Sequence, residues 1–281
     1  MGEFMLKLLE RNIASIERRL VLLAPPHAAV PQHFRNVTHD FVRHQQLVMQ
    51  VQQLRGSIYL QDGAIPREQL SPEGLHRTPE DERSWHLLML NDQHDVSSCV
   101  WYLEHDETDG FDQLRVRNCP LTRMEAWRER LWQAVQSDLQ RARRERLRYA
   151  EVGGWAVARQ SRCTSEGLLL ALAAYSLGRA LGGALGLTTA TVRHSSSTIL
   201  RRIGGSHLEV EGLSVPSYYD AKYRCEMELL RFDSRRPNEK YAPLIERLRE
   251  KLASVAVIAG DLSPEFSPET AIGRLQPYFA L

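Results

Sequence analysis

The sequence predicts an α/β fold: one mixed α+β sheet with helices on both faces and extra N-terminal and C-terminal helices. Three observations predict it. Segments of strand character come first, at 57–61, 84–91 and 96–103. From residue 151 onward, strand and helix alternate. Long amphipathic stretches stand before, between and after these segments. A polar turn joins antiparallel neighbours, whereas a strand–helix–strand unit sets two strands parallel, so the sheet carries both pairings.

Each element has its own reason. Residues 1–4, with Gly2-Glu3-Phe4 ahead of Met5, read as an expression scar. Over 5–22, Leu9, Ile13, Ile16 and Leu20 recur at 4-3-4 spacing among charged residues. That is an amphipathic helix, packed on its own domain or serving as a contact in a homo-oligomer. Ala24-Pro25-Pro26 to Pro31 breaks it, and a second helical stretch, 35–54, ends near Arg55-Gly56. Residues 5–50 are therefore expected to be a helical N-terminal extension. Asn91-Asp92 to His94-Asp95 folds 84–91 and 96–103 into a hairpin. Residues 66–82 read as an exposed loop. Met124, Trp127, Leu131, Val135 and Leu139 define a helix over 121–147. A strand (151–158), a helix (167–181), a strand (188–193) and a helix (196–203) follow. Further strands are expected at 207–211 and 223–232, and a last helix over 238–256 carries Leu244, Leu248 and Leu252. The central domain spans 51–235, and 236–281 forms a C-terminal helix and tail.

Composition excludes several classes. A chain of 281 residues suits one large domain, and 36 Lys+Arg against 35 Asp+Glu gives no global argument for nucleic acid. No run approaches the roughly 18 apolar residues of a membrane helix; the longest, Leu168–Ala174, reads as a buried helix. The N-terminus lacks the pattern of a secretory signal. Cys99, Cys119, Cys163 and Cys225 are widely spaced with no CxxC pair, so neither a metal site nor a disulfide framework is expected, and a cytoplasmic compartment fits. A dinucleotide fold is excluded because its glycine fingerprint is missing.

The most informative segment is 155–170, WAVARQSRCTSEGLLL. A short apolar strand enters a polar turn, Arg159 to Ser165, and opens at Gly167 into a Leu/Ala helix. The unpaired N–H groups at such a helix start, with the positive end of the dipole, form a seat for a phosphate or pyrophosphate.

This segment resembles the acetyl-CoA-binding motif of the GNAT N-acyltransferase superfamily, a strand valine followed by Arg/Gln-x-x-Gly-x-Gly/Ala and a helix. Here the motif reads Val157, then Arg162-Cys163-Thr164-Ser165-Glu166-Gly167, with Ser165 in place of the first glycine. A strand at Thr189–Arg193 and a helix ending at Gly204 fit the family's later motif, but its usual tyrosine is replaced by Leu200 or Arg201. Within the superfamily the chain is similar to the N-acyl amino acid synthases and acyl-homoserine-lactone (autoinducer) synthases. That likeness rests on Arg55…Tyr59, Trp85-His86-Leu87-Leu88 and Tyr149-Ala150-Glu151, although Gly154 stands where lactone synthases commonly carry arginine. The resemblance implies a GNAT-like fold with a splayed sheet. It implies transfer of an acyl group, long-chain in this branch, from acyl carrier protein or acyl-CoA to the amine of an amino acid or related molecule. The acyl-phosphopantetheine donor is then a cosubstrate, and no cofactor is tightly bound. Two other readings stay open: an acetyltransferase using acetyl-CoA, and a non-catalytic acyl-binding module.

Candidate residues follow. Arg162, Cys163, Thr164, Ser165 and Gly167 are expected to hold the donor phosphate. The backbone of Gly153, Gly154, Trp155, Ala156 and Val157 is expected to pair with pantetheine. A glycine pair inside a strand marks a bulge or a close backbone approach. Glu151 is the candidate general base, or else a solvated carboxylate at a strand start. Arg55, Trp85 and His86 are candidates for acceptor binding, with His86 alternatively a satisfied core histidine. Arg193 and His194 are candidates for an acceptor carboxylate or for capping the next helix. The basic run Arg141, Arg143, Arg144, Arg146 and Arg148 is either a solvated helix end or a docking face for acidic acyl carrier protein.

Overall fold

The computed structural model describes residues 2–26 and 28–260, leaving aside the side chains of residues 2–4 and 194. The tail expected beyond residue 260 lies outside the described residues. In chain order the elements are α1 (Gly2–Ala14), β1 (Leu20–Leu23), β2 (Val37–His39), α2 (Phe41–Gln61), β3 (Trp85–Leu90) and β4 (Val96–His105). Then come α3 (Glu125–Arg144), β5 (Arg148–Val157), α4 (Glu166–Ala180), β6 (Ala184–Thr191) and α5 (Ser196–Ile203). The short strands β7 (Ser206–His207), β8 (Glu209–Val210), β9 (Leu213–Ser214) and β10 (Tyr218–Asp220) precede β11 (Cys225–Asp233), α6 (Ala242–Leu252) and β12 (Ala256–Ala259).

The main sheet runs β10-β11-β6-β5-β4-β3-β1-β12-β2, with β7 on β11. The pairs β5–β6, β1–β12 and β12–β2 are parallel and the others antiparallel, so the expected mixed sheet is present. Helices cover both faces. Leu9 and Ile13 of α1, Leu169 to Leu177 of α4, and Leu244 to Leu252 of α6 pack with Val100, Tyr102 and Ala150 on one face. On the other, α2 packs Leu47, Val48 and Val51 on Cys99 and Ala156, and α3 packs Leu131, Val135 and Leu139 on Tyr149 and Leu187.

Several expected elements differ. The helix expected over 5–22 stops at Ala14; a 3-10 turn at Ile16–Arg18 follows, and Leu20–Leu23 is a strand inside the sheet. Four successive apolar residues, all buried, suit a strand covered on both faces better than one stripe of a helix. The strand expected at 57–61 is the last turn of α2, because Val51, Arg55 and Ile58 share one buried helical face. Gly56 does not end that helix; it admits the Gly74 carbonyl, 2.3 Å from where a Cβ would stand. The last helix ends at Leu252, and Ala256–Ala259 returns as a strand beside β1. The segments expected as terminal helical additions thus both place strands in the central sheet. The loop expected to be exposed over 66–82 buries Leu75, His76 and Asp81.

Candidate active site

The site begins with a defect in pairing. β5 and β6 pair in parallel from Arg148↔Ala184 to Val152↔Thr188, and there the pairing stops, although β5 continues to Val157 and β6 to Thr191. The break falls at Gly153-Gly154. On β4 the register against β5 also shifts between Cys99 and Trp101, a bulge. The physical cause is Trp101, whose indole lies over both glycines. A Cβ on Gly153 would meet its Cζ2 at 2.5 Å, and one on Gly154 its Cδ1 at 2.3 Å. Gly154 also has φ +64°, a region that costs an ordinary residue about 1 kcal/mol. The glycine pair therefore makes room for the ring and splays the strands.

A cavity of about 620 Å³ occupies the splay. Its lining comes from both faces of the sheet, so it passes between β5 and β6. On the α4 face it is apolar: Val100, Val152, Leu168, Ala171, Ala174, Tyr175, Leu200 and Phe232. Toward α2 it meets Arg55, Tyr59, His76, Trp101, Arg115 and Tyr223. All ten residues expected to hold the donor line this cavity: Gly153, Gly154, Trp155, Ala156, Val157, Arg162, Cys163, Thr164, Ser165 and Gly167. Among the described residues no acceptor faces the N–H groups of Gly167 and Leu168, whereas Thr164 Oγ1 takes the N–H of Glu166. Asn12 of α1 donates to Ser165 Oγ at 2.7 Å, and Arg19 pairs with Glu166. The loop is thus held from behind by the N-terminal segment.

Both arginines at the mouth are already engaged by Asp62, Arg162 by its carboxylate and Arg193 by its backbone carbonyl. Arg162 donates Nη1 and Nη2 to Asp62 Oδ1 and Oδ2 at 3.0 and 2.6 Å, a bidentate pair. Arg193 donates to the Asp62 carbonyl at 2.9 Å. Asp62, the C-cap of α2, thereby ties the loop after β5 to the turn after β6 across the opening.

A second cavity of about 520 Å³ lies on the α3 side of the sheet and shares His76, Thr78, Trp101, Arg115, Val152, Thr188, Thr189, Tyr223 and Met227 with the first. Glu151 lines it, but not as a free carboxylate. Its Oε2 accepts from the Arg115 N–H at 2.7 Å and from His105 Nε2 at 3.0 Å, and its Oε1 accepts from the Val116 N–H at 2.9 Å. Glu151 therefore holds the 3-10 turn Arg115–Asn118 in place. The Arg115 guanidinium lies 5.5 Å over the Trp101 ring, donates to Tyr223 Oη at 3.0 Å and sits 3.2 Å from Glu80. Burial lowers the pKa of His76 to about 4, with Arg55 adding to the effect, so its ring is neutral at neutral pH. His76 Nδ1 has no partner among the described residues.

Arg55 is 1 % exposed and donates to Asp81 Oδ2 at 2.6 Å and to the His76 carbonyl at 2.8 Å. Burial opposes its charge, but the Asp81 carboxylate outweighs that and raises its pKa; the same contact keeps Asp81 ionised against burial. Its Nε and Nη1 have no partners among the described residues, and Nη1 lies 3.2 Å from the Cβ position of Gly154.

Other expected positions fall elsewhere. Trp85 is buried against Phe34 in the α4-side core and lines neither cavity. His86 also lines neither; its Nε2 bonds the Asp81 carbonyl at 2.9 Å, and burial lowers its pKa to about 4. It is a core histidine, bonded through Nε2, while its buried Nδ1 has no partner among the described residues. The side chain of His194 lies outside the described residues. The run Arg141–Arg148 stands where α3 ends and β5 begins, while the anion loop follows the other end of β5. Ten residues of strand put the two about 30 Å apart. Arg141 pairs with Glu145 and Asp233, and Arg143 donates to the carbonyls of Glu107 and Asp109. Sequence reasoning missed Trp101, Arg115, His76 and Tyr223. One signal for Trp101 existed: two adjacent glycines in a strand imply a bulky neighbour above them. Among the described residues no cluster of His, Cys, Asp or Glu could hold a metal, and no helix is long and apolar enough to cross a membrane.

No family model matches the chain, and no curated protein sequence matches it significantly. Among solved structures it is similar to a CoA-dependent acyl-homoserine lactone synthase, BjaI, with SAM and isopentyl-CoA. The identity is 14%, over 86% of this chain and 93% of that one, with a TM-score of 0.50. The same synthase with MTA gives 14% identity, the same coverage and a TM-score of 0.51. FeeM, an N-acyl amino acid synthase from uncultured soil microbes, is similar at 13% identity over 72% of this chain and 90% of that one, with a TM-score of 0.41. At 14% identity the likeness to the lactone synthase shows the fold, a GNAT-like acyltransferase fold, and nothing finer.

Proposed function

We propose that this protein is an N-acyltransferase that moves an acyl chain from a phosphopantetheine thioester, acyl-CoA or acyl carrier protein, to the amine of an amino acid or related small molecule. The observation that carries this reading is the cavity that passes through the sheet at Gly153-Gly154, apolar toward α4 and adjoined on the α3 side by a second cavity lined by polar side chains. The fold shared with the CoA-dependent lactone synthase supports it. The donor phosphate belongs at Arg162, Arg193 and the open amides of Gly167 and Leu168. The pantetheine arm lies along the unpaired edge Gly153–Val157. The acyl chain fills the arm lined by Ala171, Ala174 and Phe232, and a cavity of about 620 Å³ has room for a chain longer than acetyl.

The amine nitrogen, approaching from the second cavity, attacks the thioester carbonyl carbon. The C–N bond forms, the C–S bond breaks and the thiolate takes up a proton. Stabilising the developing oxyanion in a dry site is the largest contribution such a protein makes. The unpartnered Arg55 N–H groups beside Gly154 are placed to supply it. His76, neutral and with a free Nδ1, accepts the amine's proton at the boundary of the two cavities. Glu151 acts through the Arg115 turn as a positioning residue rather than as the base. A carrier protein would approach the loop end of β5, beside the exposed Arg159 and Arg201, and not the Arg141–Arg148 run.

Mass spectrometry of cells overproducing the protein tests the reading. New N-acylated amines, lost on Gly154→Trp, are expected. An unchanged amine profile, together with no binding of long-chain acyl-CoA by the purified protein, would overturn it.

A further inference from the structure

The open amides at the start of α4 stand against the local sequence. Ser165 is the N-cap and Glu166 opens the first turn, and side chains of both kinds ordinarily satisfy the free N–H groups of a helix start. Here neither does. Ser165 makes no capping bond; its Oγ accepts instead from Asn12 Nδ2 of α1 at 2.7 Å. Glu166 is 6 % exposed, and both its oxygens are committed: Oε2 accepts from Arg19 Nη2 at 2.5 Å and Oε1 from Ser97 Oγ at 2.7 Å. Arg19 is itself fixed on β3, where its Nε donates to the Leu90 carbonyl at 3.0 Å and its own carbonyl accepts from the Leu90 N–H at 2.9 Å. The N-terminal segment thus holds the two side chains that would otherwise fill the seat, and Met5 of α1 lines the same cavity.

Building on the donor site of the acyltransferase reading, we propose that Arg19 is a positioning residue for donor binding: it holds the Glu166 carboxylate off the amides of Gly167 and Leu168, which leaves them to the donor phosphate. A carboxylate in the first turn satisfies the positive end of the helix dipole as a phosphate does. An unpaired Glu166 therefore competes with the donor for the same N–H groups and repels it. Paired with Arg19 it is neutralised, and the mouth keeps the positive charge of Arg162 and Arg193. A carboxylate this buried is costly without a partner, so loss of Arg19 drives it toward the free N–H groups of its own turn. Ser165, standing where the family motif has its first glycine, is accommodated in the same way, with its hydroxyl given to Asn12 rather than to the seat.

The test is calorimetric binding of decanoyl-CoA by the full chain, beside decanoyl-pantetheine, the same thioester without phosphate or nucleotide. The wild type is expected to bind decanoyl-CoA at least tenfold more tightly. Arg19→Gln weakens decanoyl-CoA about tenfold, the worth of a charge at a helix start, and leaves decanoyl-pantetheine nearly unchanged. Adding Glu166→Gln removes the competing carboxylate and restores decanoyl-CoA binding to within about threefold of the wild type. If Arg19→Gln does not fold, Arg19→Lys keeps the charge but cannot bond Glu166 and Leu90 together, and weakens decanoyl-CoA alone about threefold. Unchanged decanoyl-CoA binding in the variant that folds overturns the proposal. Equal weakening of both ligands, or no recovery with Glu166→Gln, also overturns it, since a merely structural tie would behave so. If the wild type binds both ligands equally, the phosphate seat and this inference fall while the acyl arm stands. If it binds neither, the acyltransferase reading itself falls, and this inference falls with it.

Discussion

Gly154→Ala separates two costs that the glycine pair avoids. Gly154 has φ +64°, and placing alanine there costs about 1 kcal/mol for the left-handed backbone. The added Cβ also stands 2.3 Å from Trp101 Cδ1, 2.5 Å from its Nε1 and 3.2 Å from Arg55 Nη1. Trp101 is 3 % exposed and Arg55 is tied to Asp81, so the ring can move only into the cavity. Overpacking of that kind costs about 1–3 kcal/mol, giving a total of about 2–4 kcal/mol. Gly212, in the tight turn between β8 and β9, has φ +78° and nothing within 4 Å of its Cβ position, so Gly212→Ala reports the backbone cost alone. Urea unfolding of both variants gives the steric part as their difference, about 1–3 kcal/mol. Adding Trp101→Leu to Gly154→Ala should recover most of that part, a non-additive coupling between touching residues. Equal destabilisation by the two alanines, or strict additivity with Trp101→Leu, would refute the view that Trp101 is what the glycines accommodate.

Two further outcomes follow from the same geometry. Asp62 occupies the Arg162 fork in the empty protein, so Asp62→Asn should tighten binding of CoA about fivefold in calorimetry, the worth of one partly exposed bidentate ion pair; unchanged or weaker binding would show that the pair does not compete with the donor. His86 is buried with its pKa lowered to about 4 from an unfolded value near 6.5, so the unfolded chain binds more protons between those limits. The stability His86 contributes is complete above pH 6.5 and is lost as pH falls toward 4. Between pH 7 and 5 the wild type should lose about 2 kcal/mol more than His86→Gln in urea melts, and parallel pH profiles would contradict the assignment.

How far the sequence carried depends on the range of the interactions involved. The strand, anion loop and helix over 148–180 were legible because glycine, small polar residues and a Leu/Ala run act within one segment. The strands Leu20–Leu23 and Ala256–Ala259 were not, because they exist through pairing with each other across the whole chain. Residues 57–61 read as a strand for the same reason in reverse: Ile58 and Tyr59 suit either state locally, and only their shared face with Val51 and Arg55 decides. The polar loop 66–82 looked solvated, yet its His76 and Asp81 are drawn inward by Arg55. Glu151 was located correctly on its strand, but three N–H donors from residues 105, 115 and 116 change what its carboxylate can do. Nothing near Glu151 in the sequence signals those partners.

The crossing cavity also explains why the motif alone does not disclose the chemistry. If the acyl arm lies on the α4 face and the amine chamber on the α3 face, the reacting carbon must sit in the plane of the sheet, between β5 and β6. The polar groups in that plane include backbone groups of Gly153–Val157 and Thr189–Thr191, released from β5–β6 pairing because the strands part after Val152 and Thr188, although the carbonyls of Gly154, Trp155 and Val157 accept from Cys99, Tyr59 and Arg162. Backbone groups carry no side-chain identity, so their availability is written only in what forces the strands apart. Here that is Trp101 on β4, opposite two glycines, with the Arg115 guanidinium 5.5 Å from its ring. On the proposed reading, the one indole opens the sheet where the donor would lie and stacks on the Arg115 guanidinium between the two cavities, which would couple the two half-sites through a residue that need not touch the reacting atoms.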